Sequence, residues 1–119
     1  MNVVLLQGTL SRDPEERILA SGDRLVTYEV TTREEGRRAA TVPVVWADPP
    51  ASADRLVQGS EVVVTGEVSR RFFRSGGATA SRTEVIADKV LAASQRRAVV
   101  AAFARMRERV DLPGSGRAR

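Results

Sequence analysis

The chain has 119 residues, 42% of them hydrophobic and 29% charged, a composition that suits one globular domain with a single core. It contains no cysteine and no histidine, which excludes disulfides and thiolate metal sites and removes the commonest general base and metal ligand. The net charge of +4 is uneven: residues 1–91 carry twelve cations against thirteen acids (net −1), and residues 92–119 carry seven against two (net +5).

The basic excess therefore belongs to the C-terminal piece rather than to the whole domain, which weakens any argument for a polyanion partner made from overall charge alone. No apolar run approaches the ~18 residues that span a bilayer. The opening Met1-Asn2-Val3-Val4-Leu5-Leu6 has no basic leader and no cleavage site. A cytoplasmic protein without metal, cofactor, small-molecule substrate or membrane partner is expected.

In chain order, Val3 to Leu10 predicts a first strand, with Gly8 as a bulge or sharp bend. Ser11-Arg12-Asp13-Pro14 and Ser21-Gly22-Asp23 predict turns. Between Leu25 and Thr31, Val26, Tyr28 and Val30 alternate with Leu25, Thr27, Glu29 and Thr31, the period of a half-buried strand. A charged loop from Arg33 to Arg38 leads to Thr41-Val42-Pro43-Val44-Val45-Trp46, where Pro43 argues for an edge position or a strand start. After Asp48-Pro49-Pro50, residues Ala51 to Val57 allow about two helical turns, ended by Gly59.

Ser60 to Val68, with Val62-Val63-Val64, predicts a fourth strand that runs on into Arg70-Arg71-Phe72-Phe73-Arg74. Ser75-Gly76-Gly77-Ala78 forms a hairpin tip, and Arg82 to Val90 returns as a fifth strand. Five strands with a short helix before the fourth predict an all-β fold, a Greek-key barrel of the OB type. From Ala92 to Val110 the period becomes helical, with Val99, Phe103, Met106 and Val110 on one stripe and most arginines off it. That amphipathic C-terminal helix packs on the barrel or a partner helix, or else presents its polar face to a polyanion. Residues 111–119 predict a disordered basic tail, leaving residues 1–91 as the OB domain and 92–110 as the helix.

The Arg70–Arg74 run interleaves guanidinium groups with aromatic faces. Such a pairing suits a single nucleic-acid strand, cations for phosphates and rings for exposed bases. An edge hairpin with half-buried phenylalanines kept soluble by arginines is the other reading. Enzyme chemistry is not expected: Asp13, Glu15, Glu16, Asp48 and Asp54 lie beside turns and arginines, and no phosphate-cradling glycine loop is present.

The ordered set Asn2-Val3-Val4-Leu5-Leu6-Gln7-Gly8-Thr9-Leu10 with Ser11-Arg12-Asp13-Pro14-Glu15, then Ser21-Gly22, Val44-Val45, Gly59-Ser60, Gly66 and Thr83-Glu84-Val85, resembles the bacterial single-stranded DNA-binding protein family across residues 2 to 91. The resemblance implies non-enzymatic binding of single-stranded DNA in replication, recombination or repair, a nucleoid-associated location, and a homo-oligomer, dimer or tetramer, built on paired first strands. It also implies that Arg71 and Phe73 stand where the family places a phosphate-contacting arginine and a base-stacking aromatic. Phe72, Arg70, Arg74, Arg82, Trp46 and the loop arginines Arg33, Arg37 and Arg38 complete the candidate DNA-binding set.

Departures are clear. Where the family carries aromatic and basic groups on its third strand, this chain has Thr41, Pro43 and Ala47. Trp46 falls one residue early, inside the barrel unless a one-residue slip turns it out. The loop tryptophan found in many members is absent, with Gly36 near its place, and the sequence ends Gly-Arg-Ala-Arg where replication members carry an acidic tip. A specialised paralogue is therefore expected, or alternatively an OB-fold protein-interaction module with residual nucleic-acid affinity.

Overall fold

A computed structural model describes residues 1–110. It has six strands, β1 (Val4–Leu10), β2 (Glu15–Ile18), β3 (Arg24–Thr32), β4 (Ala40–Ala47), β5 (Glu61–Ser75) and β6 (Ala78–Ala92), a 3₁₀ turn at Ala51–Arg55, and one helix, α1 (Arg96–Arg109). The sheet order is β1-β5-β6-β4-β3-β2, and β1 also pairs with β3 through Thr9↔Thr31 and Leu10↔Val30. That second pairing closes five strands into a ring and leaves β2 outside it. All ladders are antiparallel except a short parallel one, Val44↔Val85 and Val45↔Ile86, between β4 and β6. This connectivity is an OB-fold with a C-terminal helix.

The ring closes around one cluster that includes Leu10, Val26, Tyr28, Val30, Val44, Trp46, Val62, Val64, Val85 and Val90. Alternation along β3 sends Val26, Tyr28 and Val30 inward as the sequence predicts. Val42, Val44 and Trp46 do the same on β4. Pro43 lies in mid-strand rather than at a strand start. Its other flank is free because the β4–β6 ladder covers only Val44 and Val45, so no ladder bond to β6 is lost.

Gly8 is not a bulge: the β1–β5 register runs unbroken from Val4↔Gly66 to Thr9↔Glu61. A Cβ there would lie 2.4 Å from the Thr31 carbonyl oxygen, so the glycine is where β1 crosses onto β3. The bulge sits instead at Thr65/Gly66, where the β6 register skips Asp88. A Cβ on Gly66 would lie 2.1 Å from the Ile86 carbonyl oxygen.

One strand is new and two predicted elements differ. The strand β2 is an addition to the five expected. Its Glu15-Glu16-Arg17-Ile18 is exposed throughout and has no apolar alternation, and it forms because the edge of β3 offers a ladder from Glu15↔Thr27 to Ile18↔Arg24. The two-turn helix is one 3₁₀ turn, whose buried Ala53, with the following Leu56, joins the core cluster. The helical stripe is rotated. Ala102, 3% exposed, is the residue of α1 that buries fully, with Val99 and Met106 half-buried, while Phe103 and Val110 are 40% and 36% exposed. The small alanine lets α1 approach β5 and β6 along a cleft that includes Thr65, Lys89 and Met106. An ion pair from Arg109 to the bulged Asp88 pins its last turn. The expected tail at 111–119 lies outside the described residues.

Candidate nucleic-acid interface

Strands β5 and β6 outrun the ring. The last rung on β1's side is made by a side chain: the Asn2 amide donates to the Val68 carbonyl (2.8 Å) and accepts from the Val68 N–H (2.9 Å). Beyond it, from Ser69↔Glu84 to Ser75↔Ala78, β5 is paired only with β6, forming a two-stranded arm. The arm turns at Gly76 and Gly77, whose φ angles of +59° and +84° are those of a tight two-residue hairpin loop that L side chains resist.

Alternation along this arm sorts the candidate residues onto two faces. One carries Arg71 and Phe73, with Arg82 opposite Arg71 and Ala80 opposite Phe73. The Arg71 guanidinium lies 5.9 Å from the centre of the Phe73 ring, a cation–π contact that aligns the two groups. Its Nε is 3.8 Å from Glu84 Oε1, a carboxylate whose side chain is only 7% exposed. Phe73 itself remains 42% exposed. Arg70, Phe72 and Arg74 occupy the other face, opposite Thr83, Ser81 and Thr79. Arg82 does not pair with Glu67 across the hairpin, because Glu67 stands opposite Ile86.

Arg71, Arg82 and Glu84, at the base of this face, form one wall of a groove of about 490 Å³ over the outer sides of β3 and β4. Leu25, Thr27 and Glu29 of β3 and Val45 of β4 line it, with Arg12, Glu15, Glu16 and Arg17 from the β1–β2 turn and β2. Four arginines and four glutamates share the lining. Arg12 is tied to Glu29 (3.2 Å) and Glu15 (3.7 Å), and Arg71 to Glu84, whereas Arg17 and Arg82 have no ion pair among the described residues.

The alternation of β3 sets Glu29 on the face opposite Val26, Tyr28 and Val30, but nothing in the sequence groups Arg12, Arg17 and Glu84 with it. They come from separate elements and meet only when the ring closes. The single usable signal was the outward phase of Thr27 and Glu29.

Trp46 is a correction to the candidate set. It is 7% exposed, inside the core, its ring centroid 6.5 Å from that of Tyr28. The β3–β4 register runs from Leu25↔Ala47 to Thr32↔Ala40 without a shift, so no slip turns the indole outward. Beside it, Tyr28 buries its hydroxyl without a hydrogen-bond partner among the described residues, and burial pushes its phenol up to about 12. The loop arginines are not gathered at the arm. Arg33 borders a separate cleft with Leu6, Thr9 and Glu61, and Arg37 makes an exposed pair with Glu34 at 3.8 Å. Arg38 has no ion pair among the described residues.

Residues 1–93, which include all six strands and the arm, match the family model described as the single-strand binding protein family. The chain belongs to the single-strand binding protein family. Relatives of this family member include a single-stranded DNA-binding protein of Oceanobacillus iheyensis, 32% identical over 99 residues, and the single-stranded DNA-binding protein 2 of Listeria innocua, 33% identical over 99 residues. Both matches span 76% of this chain and 62% of the relative, so the match leaves more than a third of each relative's length unmatched. Helix α1 lies beyond the residues the family model covers.

Proposed function

We propose that the chain binds single-stranded DNA without transforming it, in replication, recombination or repair. The observation that carries the reading is the exposed Phe73 with Arg71 aligned over it, on the face of an arm that borders an open groove. A base stacks on Phe73 and contributes roughly 1–3 kcal/mol, while Arg71 and Arg82, with Arg70 and Arg74 nearby, take phosphates. Arg33, Arg37 and Arg38 act at most as outlying phosphate contacts from the β3–β4 loop. With Trp46 buried and the groove's carboxylates holding Arg12 and Arg71, affinity is weak to moderate. Four arm arginines engaged on a single strand give a salt slope of about −3.

The protein acts as a homo-oligomer in the cytoplasm, associated with the nucleoid. On the side away from β5, β1 pairs only at Thr9 and Leu10, so its Val4–Gly8 edge is open to a second copy across a two-fold axis. A second reading, a protein-interaction module with residual nucleic-acid affinity, is favoured by the buried Trp46 and the balanced charge of the groove. Fluorescence-anisotropy titration of the full chain with labelled oligo-dT at two salt concentrations tests the first reading. Saturable binding that weakens steeply with salt supports it. Absence of binding in dilute buffer favours the second.

A further inference from the structure

The far face of the arm is chemically freer than the groove face. Phe72 is 66% exposed, against 42% for Phe73. Arg70 and Arg74 stand two residues to either side of it on the same strand face, and neither has an ion pair among the described residues. Their cross-strand neighbours, Thr83, Ser81 and Thr79, are neutral hydrogen-bonding side chains, so among the described residues the arm places no carboxylate on this face. On the groove face, by contrast, Arg71 is already held by Glu84 and the opposite wall brings Glu15, Glu16 and Glu29.

The difference has a structural origin. Arg70, Phe72 and Arg74 continue the phase of Val62 and Val64, which lie in the core, and of Val68, which is already 46% exposed. Beyond Val68 no other strand lies across from them, so an inward phase emerges into solvent. An exposed ring between two unpaired guanidiniums, with no anion beside it, is complementary to a polyanion that carries flat apolar faces.

From this we infer that the arm has two nucleic-acid faces, and that Phe72, Arg70 and Arg74 form a second stacking site that holds a separate segment of single-stranded DNA while the first lies against Phe73 and Arg71. The inference rests on the reading that the Phe73 face holds single-stranded DNA. One arm then stands between two unpaired segments, and a single chain bridges them.

Photo-crosslinking separates the two faces. Oligo-dT carrying 5-iodouracil is irradiated with the full-length protein, and adducts are mapped by mass spectrometry on the wild type, Phe72→Ala and Phe73→Ala. Adducts at both Phe72 and Phe73 in the wild type are expected, with Phe72 still labelled in Phe73→Ala and Phe73 still labelled in Phe72→Ala. A titration with a short oligo-dT is expected to show a second, weaker phase that Phe72→Ala reduces about tenfold or more, the loss of one stacked base. Circular dichroism checks the folding of each variant. Labelling at Phe73 alone overturns the second site and leaves the first reading standing. No association of oligo-dT with the wild type overturns both. A change in molar mass by light scattering in Phe72→Ala, with DNA binding and labelling unchanged, overturns the site in favour of a contact between copies of the chain.

Discussion

Strand β5 crosses two regions of the molecule with one side-chain alternation. From Glu61 to Gly66 it has β1 on one side, β6 on the other, the core beneath and α1 over its outer face, so Val62 to Thr65 are all buried. From Ser69 to Ser75 only β6 remains, and the same period puts a ring and an arginine on each face in solvent. Burial in the ring stabilises the fold by roughly 1.5–3 kcal/mol for each valine fully removed from water. In the arm the rings gain less from the fold, Phe72 being 66% and Phe73 42% exposed. On the proposed reading, stability and DNA binding fall largely to different stretches of one strand.

Substitutions sharpen that division. The largest effect belongs to the ring: Leu10→Ala opens a cavity where β1 passes from β5 to β3, and a loss of about 2–5 kcal/mol is expected in urea unfolding. Next comes Arg71→Ala with Phe73→Ala, which removes one stacking platform and its aligned cation. Oligo-dT affinity is expected to fall about a hundredfold, and stability by about 1–3 kcal/mol, because Arg71 is the ion-pair partner of the mostly buried Glu84 and Phe73 is more than half covered.

A smaller effect of opposite sign is expected in the core from Tyr28→Phe. Burial favours the neutral phenol, so its contribution is whole below the ordinary value of 10.0 and is lost as pH rises through about 12. Removing the hydroxyl also removes an unpaired buried group, and the variant is expected to gain about 1 kcal/mol at neutral pH. It should also resist alkaline unfolding, followed by circular dichroism. The smallest change is Asn2→Ala, which unties the base of the arm at Val68. A cost of about 0.5–1.5 kcal/mol is expected, with faster amide exchange at Val68 and no effect at Leu10.

The ring was largely legible in the sequence because alternation of apolar residues reports burial directly. Val26, Tyr28, Val30, Val44 and Trp46 all follow their period, and Trp46 turned inward because no bulge interrupts β4. The hairpin tip was legible because paired glycines supply the positive φ it requires. What escaped lacks an apolar signal or depends on distant partners. Strand β2 is four exposed residues held by an edge. The 3₁₀ turn is too short to repay α-helix nucleation. On α1 the buried line passes through Ala102 rather than Phe103, since close approach to β5 selects the smallest side chain, which hydrophobic period alone does not reveal. The groove's carboxylates were invisible as a group because Glu15, Glu29 and Glu84 are far apart in sequence and meet only through strand pairing.

The division between ring and arm is tested most directly by measuring binding and unfolding on one protein, the Arg71→Ala, Phe73→Ala double variant. Oligo-dT anisotropy titration and urea unfolding are run beside the wild type under the same buffer and salt. Affinity lost by about two orders of magnitude, in a variant whose urea transition shows it folded in the titration buffer, is the expected result. Affinity that survives the double substitution, in a chain still folded, contradicts the account.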